Sequence, residues 1–586
     1  VASARAGGDP YTHSETAVEA GRVSWRRYDA LANRWTQIQS GSIACEPPTA
    51  MLGREEVARL LDQVKECAMP LDFEASGEAD YRLAEELFRE AFDAQPSNQR
   101  AFRQLAMLLV ERKRWTELGS LARARIQSAP WDAWAWLTLG LVMHERRGGA
   151  RETVAVFDSA FTLLPPEDRQ WFSRFERVLK PQDTAKVSTS DPSARFALHR
   201  LFWLTANPLW SVDASQPQLD FLSRVVYSEL RWTVEELNVR GADTDRGDVY
   251  IRYGRPDLVM AHRTQDAIVT TWVYHAGLVF TFVGQPTFAT ARIAPNDQQV
   301  FGDIIHSAPV LWLAEPGYTL DSMPAQLARF RARDDSVDVL VATLPPISAL
   351  ASATEIRGTV RSDFWLLAGG TVMVARDSVV PAQPGVQVFT HRVRERNYLF
   401  RAEASASGSL HGARASATFV AGTDSATGFT MHGFGMSDLL LATSIVEGRD
   451  RALRWSDFAV KPLAGVAGRA TPLALLWENY EFANASGAAR YAVTITLQRE
   501  PTKAPMGRIS AGIASKVAGA VGIERTEDRV KLQFERSLPH AAIIVDRVDL
   551  SLGETPPGSY RLTIEITEQG TGRTTSRTAR VEVGGR

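Results

Sequence analysis

Apolar positions recur every three or four residues through residues 79–182 and again through 190–240, where RFALHRLFWLTANPLW and LDFLSRVVYSELRWTVEEL carry the spacing of amphipathic helices. A shorter stretch, GREEVARLLDQVKECAM, places Val57, Leu60, Leu61 and Val64 on one helical face. After Gly241 the period shortens to two. Alternating or continuous apolar runs separated by Gly, Asp or Pro predict strands at Val249–Tyr253, Val269–Tyr274, Leu278–Val283, Val337–Val341, Thr371–Val374 and Tyr398–Ala402. Further strands are predicted at Tyr491–Leu497, Val530–Phe534, Ala542–Val545, Tyr560–Ile566 and Thr578–Val583, the last two as neighbours around a Gly-rich turn. Helices first and strands afterwards predict a segregated α+β chain, with β-sandwich modules in its second half.

The helical part repeats. REAFDAQP ends at Pro96, RARIQSAP at Pro130 and DSAFTLLP at Pro165, spacings of 34 and 35 residues. A helix–turn–helix period of 34 resembles the tetratricopeptide repeat. Trp136, Leu139 and Gly140 stand at that repeat's Trp, Leu and Gly positions, and Ala160 and Pro165 close the unit. The preceding unit has Phe102 and Leu105 but Ala106 in place of Gly. Trp131 and Trp134 lie off the face that holds Trp136, Leu139 and Met143. Two readings stay open for them: packing against the preceding helix, or aromatic anchors of a partner-binding groove.

The stretch TDRGDVYIRYGRPD, residues 244–257, reads as a strand, Val249–Tyr253, bracketed by turns, with Asp245 capping and the glycines taking positive φ. It resembles the GWxTD-domain proteins, a bacterial family of unassigned activity. Gly241, Thr244, Asp245, Arg246, Gly247, Tyr250, Ile251, Tyr253, Gly254, Pro256 and Asp257 match, and Ala242 stands where the family has Trp. FWLTANPL, TTWVYHAGLVFTF and LALLWENYEF are similar to its flanking segments. The residues themselves read as a structural corner. Arg246-Gly247-Asp248 also matches an adhesion tripeptide. Asp243, Asp245 and Asp248 could open a calcium loop, but no Glu follows at the twelfth position. The expected organisation is an arm and helix at 1–78, tetratricopeptide-like repeats at 79–182, a GWxTD-like module at 183–345, a β-rich sandwich-like domain at 346–465 and a C-terminal β-sandwich at 466–586.

Composition narrows the class. The chain has 586 residues, 45% of them hydrophobic, with 66 basic against 68 acidic side chains and a net charge of −2. That balance argues against a nucleic-acid binder. The long uncharged run from Ala267 to Ala291 is broken by YHAG and GQP and reads as a β-hairpin rather than a membrane span. The start, VASARAGGDP, resembles what cleavage of an export signal leaves behind. Cys45 and Cys67 are too few for a disulfide framework. One bridge or two thiols are equally compatible with the sequence. HExxH, GxSxG and phosphate-loop patterns do not occur. His275 and His432 fall at predicted turns as surface polar residues, and SAGIASKVAGAVGIER reads as a small-residue packing helix. No catalytic, cofactor or metal residues are assigned. The expectation is a non-catalytic scaffold subunit of the bacterial envelope, extrinsic to a membrane complex of the kind that includes photosynthetic reaction-centre and antenna assemblies. Its partners would be other proteins. An envelope glycan- or peptide-binding module and an unrecognised hydrolase are the alternatives.

Overall fold

The computed structural model describes residues 9–32, 55, 59, 74–211, 214–263, 268–284, 291–293, 310, 319–332, 334–352, 359–380, 382, 384–406, 411–448, 453–483, 487–500, 512–513, 522–526, 528–553 and 555–584. Cys45, Cys67 and nearly all of the helix expected around 53–69 lie outside these residues, as does the N-terminal segment 1–8. The chain forms two compact units, Val1–Asn207 with Val212–Glu315, and Pro208–Ser211 with Pro316–Arg586. No helix among the described residues is long and apolar enough to cross a membrane.

In the first unit α1 (Pro10–Ala32) packs along α2 (Glu74–Ala94). Two helical hairpins follow, α3 (Gln99–Glu111) with α4 (Trp115–Ser128), and α5 (Ala133–Glu145) with α6 (Ala150–Leu163). Asn98 and Asp132, 34 residues apart, cap the first helix of each. The Asn98 side chain accepts from the Arg100 and Ala101 amides, and that of Asp132 from the Trp134 amide. Gly140 lets α5 and α6 meet, because a Cβ there would lie 2.8 Å from the Phe157 ring. Its counterpart Ala106 is wholly buried. The buried Arg125 ties the hairpins together: it reaches Asp132 at 2.7 Å and the Ser97 carbonyl at 3.0 Å.

Three further helices, α7 (Pro166–Phe172), α8 (Pro181–Ser188) and α9 (Pro192–Thr205), each begin with proline, whose missing N–H costs nothing there. They lead to α10 (Gln216–Trp232), which is buried along most of its length and packs across α3 and α5. A 3₁₀ turn, Gly241–Asp243, and α11 (Asp245–Tyr253) pack against it in turn. Strands β1 (Leu258–Arg263), β2 (Ile268–Val273), β3 (Val279–Gly284) and β4 (Ala291–Ile293) form one antiparallel sheet in sequence order. The hairpin expected from the uncharged run is the β2–β3 pair.

The stretch 249–253 is helical, not a strand. Val249, Tyr250, Ile251, Arg252 and Tyr253 are all buried, so the apparent alternation of apolar and polar positions marks no exposed face. The cap is Thr244 rather than Asp245: its hydroxyl accepts from the Gly247 amide at 3.0 Å, and Asp245 is the first helical residue. Of Gly241, Gly247 and Gly254, only Gly254 has positive φ, at 70°. Gly241 and Gly247 serve close approach, since a Cβ on the first would overlap the Ser228 carbonyl oxygen and one on the second the Gly241 oxygen.

The second unit begins with β5 (Thr319–Ser322), β6 (Ala325–Arg331), β7 (Ser336–Thr343), α12 (Ile347–Ser352), β8 (Val360–Ala368), β9 (Val372–Val379), β10 (Gln387–Arg394), β11 (Arg396–Ala406) and β12 (His411–Ala421). They form sheets ordered β10-β7-β6 and β5-β12-β11-β8-β9, which share a core around Val339, Phe364, Leu366 and Phe400. The excursion Pro208–Ser211 docks here. The Trp210 and Ser211 amides donate to Glu403 at 2.7 and 2.9 Å, and the indole of Trp210 meets Trp365 edge-on.

The remaining strands are β13 (Gly435–Met436), β14 (Leu440–Glu447), β15 (Phe458–Pro462), β16 (Val466–Ala467), β17 (Leu473–Tyr480), β18 (Ala488–Arg499), β19 (Gly512–Ile513), β20 (Gly522–Arg525), β21 (Arg529–Pro539), β22 (Ile543–Ser551), β23 (Gly558–Glu568) and β24 (Thr574–Val583). Two sheets, β15-β14-β17-β22-β19 with β13 beside β17, and β16-β24-β23-β18-β21-β20, close over one apolar core. β23 and β24 pair as neighbours, as their sequence implies. The expected packing helix at 510–525 is absent from its described residues, which lie mainly in β19 and β20. Gly512 and Gly522 begin these two edge strands.

Two outcomes follow. Gly247→Ala should destabilise the chain by about 1–3 kcal/mol in urea unfolding, because the added methyl meets backbone that cannot move aside. In the second unit, burial holds the Asp546 carboxyl above its ordinary 3.8, while Tyr491 and Asn479 donate to it at 2.8 Å. Between 3.8 and the raised value the folded chain keeps a proton that the unfolded chain releases, so stability falls as pH rises through that window. Asp546→Asn should remove this part of the slope when urea midpoints are compared across pH.

Candidate functional site

α3 and α5 end in the same turn. Arg114 N–H donates to the Leu109 carbonyl at 2.9 Å and Lys113 N–H to Val110 at 3.0 Å. Thirty-four residues on, Gly148 N–H donates to Met143 at 2.7 Å and Arg147 N–H to His144 at 2.9 Å. This pairing closes helices with a left-handed residue, usually glycine. Here the left-handed residues are Lys113, φ 52°, and Arg147, φ 54°. An L-residue in that conformation costs about 1–2 kcal/mol.

Both side chains line a cleft of about 790 Å³ in the first unit, bounded by these turns, α10, α11 and the edge of the β1–β2 hairpin. Its size suits a small ligand or a short peptide segment. Arg112, Lys113, Arg147, Arg224, Arg231, Arg246 and Arg255 stand against Glu111, Glu145, Asp220 and Asp257, seven cations to four acids. On its floor the Arg224 guanidinium holds Asp220 at 2.6 and 3.0 Å and donates to the Ile251 carbonyl at 3.1 Å. His144 Nε2 lies 3.4 Å from the same Asp220 carboxylate, and both side chains are buried. Gly254 permits this arrangement, since a Cβ there would sit 2.9 Å from the guanidinium. The Tyr274 hydroxyl fixes the Gly254 carbonyl at 3.0 Å.

Aromatic rings make one wall. Tyr227 stacks on Tyr250 with centroids 4.4 Å apart, and Trp232 meets Tyr250 at 5.3 Å and Trp272 at 5.6 Å. Burial raises both tyrosine hydroxyls well above their ordinary value, so they stay protonated. Arg231 reaches Glu111 at 2.5 Å and Arg246 reaches the Thr270 hydroxyl at 3.3 Å. Partial burial and the nearby Arg255 charge push the Lys113 ammonium below its ordinary value.

No family model matches this chain, and no curated protein matches it. Among solved structures it is similar to the full-length major pilin SpaD from Corynebacterium diphtheriae, at 8% identity and a TM-score of 0.14, over 38% of this chain and 57% of that one. It is also similar to the C-terminal domain of the Streptococcus pyogenes antigen I/II-family protein AspA, at 6% identity and a TM-score of 0.13, over 44% of this chain and 99% of that one. At these scores neither likeness bears on fold or role.

Of the motif residues, Arg246, Tyr250, Gly254, Pro256 and Asp257 line the cleft. Gly241, Thr244 and Gly247 lock the turn behind it, and Asp245 opens α11 away from the lining. Ala242 is fully buried at the position of the family's Trp, its amide donating to Glu229 at 2.9 Å. The Arg246-Gly247-Asp248 tripeptide lies in the first turn of a buried helix rather than in an exposed loop. Asp243 pairs with Arg177 at 2.6 Å, and no group of three potential metal ligands converges among the described residues. Trp131 and Trp134 part company. Trp131 is 71% exposed, whereas Trp134 packs edge-on against Phe172 beneath Arg103. His275 is exposed and held by Asp257 at 2.7 Å, and His432 is exposed.

Sequence reading missed Lys113, His144, Arg147, Asp220, Arg224 and Arg255. A signal was present: Glu-Arg-Lys at 111–113 recurs as Glu-Arg-Arg at 145–147, one repeat later. The arrangement can hold an anion beside aromatic surface. His144 and Asp220 pair, but no serine or cysteine lies among the lining residues.

Asp220→Asn removes the countercharge of a buried guanidinium. It should cost about 3–5 kcal/mol, measured as the fall in unfolding free energy in urea.

Proposed function

We propose that this chain is a non-catalytic, extracytoplasmic scaffold subunit that binds other proteins, extrinsic to a bacterial membrane complex. In this reading it is built from tetratricopeptide-like repeats, a GWxTD-like module and β-sandwich domains. The observation that carries the proposal is the open cleft of the first unit. Its groups grip rather than react: guanidinium and ammonium cations, stacked rings and a buried ion pair. The side of the array where α3 and α5 lie is covered by the chain's own α10, so capture falls to the cleft at its edge.

A second reading, an envelope glycan-binding module, is favoured by one recess of the second unit. There Ser425, Thr427, Thr430, Thr574, Thr575, Ser576 and Thr578 line about 970 Å³ together with Arg580 and Glu565. Hydroxyls and charges of this kind match the donors and acceptors of a sugar.

One experiment separates the two. Source membranes are solubilised gently, separated by size under native conditions, and the chain is located by mass spectrometry. Co-migration with one large complex, lost after a salt wash, is the expected result. Migration alone near 64.6 kDa would sink the scaffold reading, and retention on isolated envelope polysaccharide would then favour the glycan one.

A further inference from the structure

The turns after α3 and α5 need a left-handed residue, and glycine supplies one with less strain than lysine or arginine. What glycine lacks is charge. Complementing the carbonyl ends of the helices does not account for Lys113 and Arg147, because Arg112 and Arg146 already stand at those two caps. Among the described residues neither Lys113, Arg147 nor the neighbouring Arg255 has an ion-pair partner. Burial and the like charge of Arg255 depress the Lys113 ammonium against the pull of Glu145 and Glu111, and a bound anion would add to that pull. Strained residues at a cleft point to function, because such conformations gather at binding sites.

Spacing selects the kind of anion. Lys113 and Arg147 are presented by successive repeats whose first helices touch. Helices in contact lie about 8–10 Å apart. Side chains carried on turns that far apart can each take one carboxylate about three residues along an extended or polyproline II chain. Trp115, half-buried in the same lining, offers a ring beside the Lys113 turn.

We propose that the cleft binds an extended acidic segment of a partner protein, with carboxylates about three residues apart met by Lys113 and Arg147 and an aromatic side chain between them set against Trp115. This rests on the protein-binding reading above and gives it a ligand chemistry.

The test uses the full chain and a dye-labelled peptide, acetyl-Glu-Pro-Phe-Glu-Pro-Phe-Glu-amide, followed by fluorescence anisotropy, with the Gln-for-Glu peptide as control. The acidic peptide should bind and the control should not. The double variant Lys113→Gly with Arg147→Gly should bind about tenfold more weakly or worse, with a thermal midpoint unchanged or raised because glycine relaxes both turns. Unaltered binding by the double variant overturns the proposal, as does equal binding of the control peptide. Displacement of the peptide by pyrophosphate at equal concentration also overturns it, by showing a site for a compact anion. Peptide binding lost in the double variant upholds the cleft chemistry even where native separation finds the chain alone, so the two readings can fail separately.

Discussion

A helix buried on every side can carry charge only if its countercharge is buried with it, and the first unit is organised around that condition. α10 brings Asp220 and Arg224 into the interior one turn apart, each neutralising the other at 2.6 Å. Glu229 further along the same helix is held by the Ala242 amide, which belongs to the turn leading into α11. Arg224 also reaches the last turn of α11 through the Ile251 carbonyl. The polar groups of one buried helix therefore fix where α11 starts and where it ends. Gly241, Gly247 and Gly254 are the residues that let the backbone come close enough for those bonds to form.

This explains which parts were legible in the sequence. The second helices of the repeat pairs, α4 and α6, show an exposed and a buried face, and Asn98, Asp132 and Gly140 stand at positions their chemistry dictates, so spacing reveals the array. Strands of the C-terminal sandwich are legible for a similar reason: β18 and β23 alternate buried with half-buried or exposed positions along their length. α11 was misread because burial all round erases the helical stripe, leaving Val-Tyr-Ile-Arg-Tyr to imitate a strand. Local pattern reports which residues are buried, not how many sides bury them.

The cleft was illegible for a different reason. Its residues come from repeat turns, from α10 and from the segment after α11, scattered between residues 28 and 272, and only the fold assembles them. The repeated Glu-Arg-Lys and Glu-Arg-Arg triplets were visible, yet as sequence they look like ordinary solvated helix ends. The dihedral angles change their meaning. A left-handed lysine and a left-handed arginine at equivalent positions, where glycine is the low-strain choice, imply that the side chains matter more than the turns.

A helical array is commonly thought of as a scaffold because stacked pairs present a continuous surface. In this chain α10 occupies the face where the first helices of the two pairs lie, and its burial makes it part of the fold rather than a removable plug. A partner competing for that face would have to expel a helix that carries Asp220, Arg224 and Glu229, taking their partners from His144, the Ile251 carbonyl and the Ala242 amide. Recognition confined to the helix ends avoids that cost, since the cations there are already presented to the cleft and need no rearrangement of the core. The same burial that closes the array therefore directs binding to its edge.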